Sequence, residues 1–133
     1  MDDLILKIAS NPSNIACLES YVDKVMGEFD ISKDLYANML ISLTEAVNNA
    51  IIHGNGCDNS KYVHIYIKRT SDRVSFEVCD EGKGFDPETI PDPTTRENIT
   101  HEGGRGVFLI RQLCDKVKFN KNGSSIELAF YTK

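Results

Sequence analysis

The sequence is 133 residues long, and this length predicts a single domain that spans residues 1–133. Hydrophobic residues make up 41% and charged residues 26%, a composition typical of folded globular proteins and not of disordered chains. The net charge of -5 provides no general attraction for a phosphate backbone, so direct nucleic-acid binding through a basic face is not expected.

The hydrophobic segments indicate a cytoplasmic protein. Residues 1–9 lack the basic region and the long apolar region of a signal peptide. No stretch reaches the roughly 20 apolar residues that a membrane-spanning helix requires. We therefore expect a cytoplasmic location and no membrane association.

The four cysteines predict neither a metal site nor a disulfide framework. They are widely spaced, and none has a second cysteine or a histidine at the spacing of zinc ligands. Because a free thiol behaves as a small hydrophobic group, we expect buried side chains at Cys17, Cys57, Cys79 and Cys114.

The first part of the chain is predicted to form one strand and two helices. Residues 4–8 alternate as a strand, and Asn11 can cap a first amphipathic helix that extends to about residue 28. A second, longer helix begins near residue 32 and ends at Gly54, which is placed as its C-terminal cap.

The second part is predicted to contain mainly strands. Residues 62–69 and 73–79 alternate in the manner of a β-hairpin. Residues 87–104 lose periodicity and collect prolines and polar residues, which indicates a long surface loop. A glycine run at 103–106 then leads into a helix of about three turns. Two strands close the chain, near residues 117–120 and 124–131.

The order of these elements favours an α/β fold of the α+β type. Adjacent strands without a crossover helix imply a sheet that is mixed but mostly antiparallel, and three amphipathic helices can cover one of its faces. We predict a two-layer sandwich with its site between the second helix and the loops at the sheet edge.

A first candidate motif lies on the second helix. Glu45 and Asn49 are four residues apart, so their side chains project from the same helical face. An amide oxygen is a suitable ligand for Mg²⁺, and a neighbouring carboxylate could orient or deprotonate a nucleophile. The alternative is an ordinary polar pair on a solvated helix face.

A second candidate motif follows the hairpin. Asp80 could accept a hydrogen bond from an exocyclic amine, which would distinguish adenine from guanine. Gly82 and Gly84 can adopt positive φ and let the backbone approach a flat ligand closely. The alternative is a tight polar turn.

A third candidate motif opens the third helix. The unpaired N–H groups near Gly104, Arg105 and Gly106, together with the helix dipole, could bind phosphate oxygens. The run lacks the lysine and the spacing of a Walker loop, so a flexible hinge is the alternative.

Read in order, the three motifs resemble the asparagine box and the two glycine boxes of the GHKL superfamily of ATP-binding domains. The matching segments are EAVNNAIIHG at residues 45–54, DEGKGFDP at 80–87 and GRGVFLI at 104–110. Over residues 4–132 the chain resembles the anti-sigma factor serine/threonine kinases of bacterial partner-switching systems, which also consist of a bare ATP-binding domain with a short lid. The resemblance implies a GHKL-type fold that binds ATP and Mg²⁺.

The resemblance also implies a role for each motif residue. Asn49 would ligate Mg²⁺, Glu45 would be the catalytic base and Asp80 would bind the adenine amine. The implied glycines are Gly82 and Gly84 around adenine and Gly104 and Gly106 against the phosphates.

At three further positions the resemblance leaves two possible roles or residues. The family commonly has a threonine near adenine on the last strand, where this chain offers Ser124 or Ser125, and we assign the contact to Ser124. Arg105 would reach a phosphate or face water. His53 would touch the phosphates or simply end the helix.

The implied function is that of an ATP-dependent protein serine/threonine kinase and anti-sigma factor. Such a protein phosphorylates a STAS-domain anti-anti-sigma protein and sequesters a sigma factor, and a homodimer is a further expectation because the family often dimerises. One alternative is a stand-alone ATPase or histidine-kinase-like catalytic module, although no phosphoacceptor helix pair is predicted before residue 1. The other is a non-catalytic, ATP-switched binding module, against which Glu45 weighs.

Overall fold

A computed structural model describes residues 5–82, 102–120 and 124–132, with only the backbone described for 102–105; within them the chain forms five strands and three α-helices. The strands are β1 (Leu6–Ala9), β2 (Tyr62–Arg69), β3 (Arg73–Cys79), β4 (Lys116–Asn120) and β5 (Ser125–Tyr131). The helices are α1 (Leu18–Phe29), α2 (Tyr36–Asn49) and α3 (Glu102–Leu113).

The five strands form one sheet in the order β1-β2-β3-β5-β4, and each neighbouring pair of the described strands is antiparallel. The hairpin of β2 and β3 has the predicted bounds, and the N–H of Thr70 closes its turn on the carbonyl of Arg73 at 2.9 Å. Because β5 lies between β3 and β4, Ser125 is opposite Cys79. The end of β3 therefore lies beside the start of β5.

One face of the sheet carries the core against the helices, as predicted for a two-layer α+β sandwich. Alternate side chains on this face are fully or almost fully buried, as period-two alternation requires. The buried residues of α1 and α2 recur at helical spacing, so one face of each helix contributes to the same core. The largest buried side chains include Phe76, Phe130, Leu18, Met39, Leu43, Ile51, Ile65, Ile110 and Leu128.

The N-terminal turns of the first two helices are tighter than predicted. The Asn11 side chain accepts a hydrogen bond from the N–H of Ser13, as a cap should, but Pro12–Cys17 is a 3-10 helix and α1 begins only at Leu18. The same happens before α2, where Lys33–Leu35 is a 3-10 turn. Short 3-10 turns are common at helix starts and leave the predicted direction of the chain unchanged.

The end of the second helix differs from the prediction. After Asn49 the helix widens into a π-helical segment, Ala50–Gly54, in which the N–H of Asn55 donates to the carbonyl of Ala50 at 2.8 Å. Gly54 is therefore not a C-terminal cap, and its φ is not positive. Instead, Gly54 is the point at which the helix end meets the loop that follows β3.

Two other predictions need correction. Cys79 is buried and Cys114 half-buried, but Cys17 and Cys57 are exposed, because one ends the 3-10 helix and the other lies in a turn with φ of 57°. The predicted loop at 87–104 lies outside the described residues up to residue 101, and its last three residues belong to α3. None of the helices in the described part of the chain is long and apolar enough to span a membrane.

Candidate functional site

A pocket between α2, α3 and the sheet brings the candidate motifs together. The end of α2 forms one wall, and the residues that follow β3 and precede β5 form the opposite wall. Its lining residues are Ala46, Asn49, Ala50, Val78, Asp80, Val107, Phe119, Ser124 and Ile126. Three polar side chains thus face an otherwise apolar space, the usual composition of a small-molecule site.

Glu45 and Asn49 converge on Gly106 of α3. A Cβ built at Gly106 would lie 2.9 Å from Glu45 Oε2 and 3.1 Å from Asn49 Nδ2. A side chain at this position would have to displace the ends of both side chains, so glycine allows α3 to approach them this closely without moving them. Gly106 was predicted from the sequence to lie against phosphates, and the structure places it against the two polar residues of α2.

The oxygen atoms on this wall suit a hard cation. The amide of Asn49 and the carboxylate of Glu45 border the same space beside Gly106, and Mg²⁺ prefers oxygen ligands. Within the described ranges, no group of three or more His, Cys, Asp or Glu side chains could hold a metal ion by itself. Asn49 fits a Mg²⁺ ion that takes most of its ligands from phosphate oxygens and water.

Asp80 lies on the opposite wall, directly after β3. Its N–H donates to the carbonyl of Ser124 at 2.9 Å, and its Oδ1 accepts from the N–H of Gly82 at 2.8 Å. Burial raises the pKa of the Asp80 carboxyl, although the Gly82 N–H and the positive charge of Lys61 favour the ionised form. A partly desolvated carboxylate is a strong acceptor for an amine of a ligand.

Gly54 and Gly82 let the loop after β3 pack directly on the end of the second helix. A Cβ on Gly54 would overlap the carboxyl group of Asp80, and a Cβ on Gly82 would overlap the carbonyl oxygen of Gly54. Gly82 does not have a positive φ, so its ability to adopt one is not what requires glycine at this position. The Asp80 carboxyl group excludes a side chain at Gly54, and the backbone of Gly54 excludes one at Gly82.

The structure separates the two candidate serines. Ser124 lines the pocket. Ser125 is fully buried, and its Oγ donates to Glu77 Oε2 at 2.7 Å and accepts from the thiol of Cys79. Of the two serines, Ser124 borders the space that a ligand would occupy, and Ile126 on the other side of Ser125 lines the same pocket.

The remaining predicted residues are placed only in part. Gly84 lies outside the described residues. Gly104 and Arg105 lie in the first turn of α3, where backbone N–H groups have no partner within the helix. His53 is exposed in the π-helical segment.

Sequence reasoning missed Asn55, which is 3% exposed and hydrogen-bonded to the loop that carries Asp80. An asparagine followed by glycine is typical of an exposed turn, so the sequence contains no signal for its burial.

Comparison with known proteins gives a family that agrees with this geometry. Residues 8–130 match the histidine kinase-like ATPase domain family. The serine-protein kinases RsbW of Staphylococcus aureus strains MSSA476 and MW2 are each 27% identical to the chain over 140 residues, covering 99% of this chain and 88% of each relative. The serine-protein kinase RsbW of strain JH9 is 25% identical with the same coverage. Because the family model matches almost the whole sequence, the chain belongs to the histidine kinase-like ATPase domain family.

Proposed function

We propose that the chain is an ATP-dependent protein serine/threonine kinase whose cofactor is Mg·ATP. The observation that carries this proposal is that Asn49, which meets Glu45 at Gly106, lines a pocket together with Asp80. Membership of a family of ATPase domains supports ATP as the nucleotide, and the printed name of the relatives, serine-protein kinase, supports the activity.

In the proposed complex, Asp80 accepts a hydrogen bond from the adenine amine and Ser124 borders the base. The N–H groups around Gly104, Arg105 and Gly106 face the phosphates, and Gly82 and Gly84 shape the loop. When bound through Asn49, Mg²⁺ would offset the negative charge of the β- and γ-phosphates. Glu45 accepts the proton of the substrate hydroxyl as the phosphoryl group is transferred, so positioning and electrostatics supply most of the catalysis.

The proposed protein substrate is a STAS-domain anti-anti-sigma protein, phosphorylated on a serine or threonine. In the same proposal the chain acts in the cytoplasm as an anti-sigma factor that sequesters a sigma factor, and it functions as a homodimer. These partners follow from the likeness of the three motifs to those of anti-sigma factor kinases, whereas the name of the relatives supports the serine kinase activity alone.

A transfer assay with radiolabelled ATP and the cognate STAS protein tests the proposal. Glu45→Gln keeps the size of the side chain and removes the base, so we expect at least about a hundredfold slower transfer with ATP affinity nearly unchanged. The matched control is Glu28→Ala, which removes an exposed carboxylate from α1 and should leave transfer at the wild-type rate.

Each alternative function gives a different result in this assay. Normal transfer by Glu45→Gln would show that the base is assigned wrongly. An acid-labile phosphate on the partner would indicate a histidine-kinase-like activity. An unchanged partner mass after incubation with ATP, together with ATP-dependent complex formation, would indicate a binding module.

A further inference from the structure

Asn55 is a buried amide whose hydrogen-bonding groups are all used. Its Nδ2 donates to Ser10 Oγ at 2.8 Å and to the carbonyl of Tyr62 at 3.0 Å, and its Oδ1 accepts from the N–H of Glu81 at 2.7 Å. An amide offers two donor hydrogens and one acceptor oxygen, so this network is complete. Because a satisfied buried network favours a single arrangement, Asn55 fixes the loop after β3 relative to β1 and β2.

Glu81 makes a second connection between the same loop and β2. Its Oε2 accepts a hydrogen bond from the N–H of Tyr62 at 2.5 Å, while its own N–H is held by Asn55. The side chain of Glu81 is exposed, so this contact adds little to the core. Rotation of the peptide between Asp80 and Glu81 would weaken both connections.

The orientation of that peptide determines where the Asp80 carboxylate points. The Gly82 N–H, which is bonded to Asp80 Oδ1, belongs to the next peptide of the same turn, so a rotation of the Asp80–Glu81 peptide would move this donor. Asn55 also directly follows Gly54, against whose backbone the Asp80 carboxyl lies. The helix end therefore supplies both the surface under the carboxylate and the hydrogen bond that holds its loop.

We propose that Asn55 and Glu81 are positioning residues that aim Asp80 at the ligand amine and thereby set the preference of the site for adenine. Neither residue needs to touch the nucleotide. This inference rests on the proposed function, because it takes Asp80 as the group that recognises the adenine amine.

The test compares the affinity for ATP with the affinity for purine riboside triphosphate, which lacks the 6-amino group, by calorimetry. The wild-type chain should prefer ATP. In Asn55→Ala and in Glu81→Ala we expect ATP affinity to fall about tenfold, the effect of misdirecting one hydrogen bond, while affinity for the analogue changes little. Glu81→Gln retains an acceptor oxygen for the Tyr62 N–H and should restore the preference.

Ser10→Ala is the matched control for Asn55→Ala. It removes the partner of the same buried amide, so it should lower the free energy of unfolding, but it leaves the bond between Asn55 and the Glu81 N–H in place. We expect the wild-type preference for ATP in this variant. Equal loss of preference in Ser10→Ala and Asn55→Ala would mean that Asn55 has only a structural role, and the inference would fail.

Glu81→Ala decides the question if Asn55→Ala does not fold, because the Glu81 side chain is exposed. A full preference for ATP in Glu81→Ala would overturn the inference and leave the proposed function intact. Equal wild-type affinity for ATP and the analogue would also overturn it, since Asp80 would then not recognise the amine. A wild-type chain that binds neither nucleotide would instead refute the proposed function.

Discussion

The two walls of the pocket hold their polar side chains by different physical means. Glu45 and Asn49 project from a regular helix whose backbone hydrogen bonds are made within α2, so their shared direction follows from a four-residue spacing. Asp80 lies beyond the end of β3, and its direction depends on hydrogen bonds to Gly82 and Ser124 and on the fixed peptide that follows it. The wall formed by α2, the helical wall, requires only enough space beside it for its side chains. The wall formed by the loop after β3, the loop wall, requires hydrogen bonds that fix the direction of Asp80.

The largest effect on stability should come from adding a side chain where the loop wall packs on the end of the second helix. Gly82→Ala would force a Cβ onto the backbone carbonyl of Gly54, and no rotamer change relieves an overlap with backbone. We expect a loss of about 2 kcal/mol in the free energy of unfolding, measured by urea denaturation, and weaker ATP binding.

The matched control for this substitution is Gly27→Ala. Gly27 is an exposed residue of α1, and a Cβ there would meet nothing within 4 Å. Alanine at this position should stabilise the protein by about 0.5–1 kcal/mol because it restricts the unfolded chain. Wild-type stability in Gly82→Ala would show that the loop wall is not tightly packed.

On the helical wall, a substitution should weaken ligand binding without changing the stability of the protein. In Gly106→Ala the new Cβ would meet only the ends of the Glu45 and Asn49 side chains, which can move aside. The gain of about 1 kcal/mol in helix propensity offsets this crowding, so the midpoint of denaturation should hardly change. Displacing both side chains should weaken Mg·ATP binding about tenfold, which corresponds to about 1.4 kcal/mol. Titrations with and without Mg²⁺ measure it, and unchanged affinity would contradict the assignment of this wall.

The smallest effect concerns the charge of Asp80. Because its pKa is raised in the folded state, the penalty for ionising Asp80 is absent below its usual pKa of 3.8 and grows as the pH rises toward the folded-state value. Asp80→Asn keeps an acceptor for the Gly82 N–H and removes this penalty. The variant should therefore unfold at a slightly higher temperature than the wild type at pH 7 and at the same temperature below that pH range. Lower stability at pH 7 would be the contrary result.

The same contrast explains which features could be predicted from sequence. The hairpin at residues 62–69 and 73–79 and the shared face of Glu45 and Asn49 follow from local periodicity, and the structure has both. The burial of Asn55 depends on partners that are 45 and 26 residues away, Ser10 and Glu81, so no local pattern announces it. Hydrogen bonds between residues so far apart in sequence form only when the sheet and helices have assembled.

The π-helical segment Ala50–Gly54 also changes the direction in which the residues after α2 face. A helical wheel drawn through α2 at about 3.6 residues per turn loses its phase after Asn49, because each residue of the wider turn advances through a smaller angle than in an α-helix. Extrapolation would assign Gly54 and Asn55 the wrong azimuth. The direction in which Gly54 and Asn55 face is therefore set by the π-helical turn and not by their count along the helix.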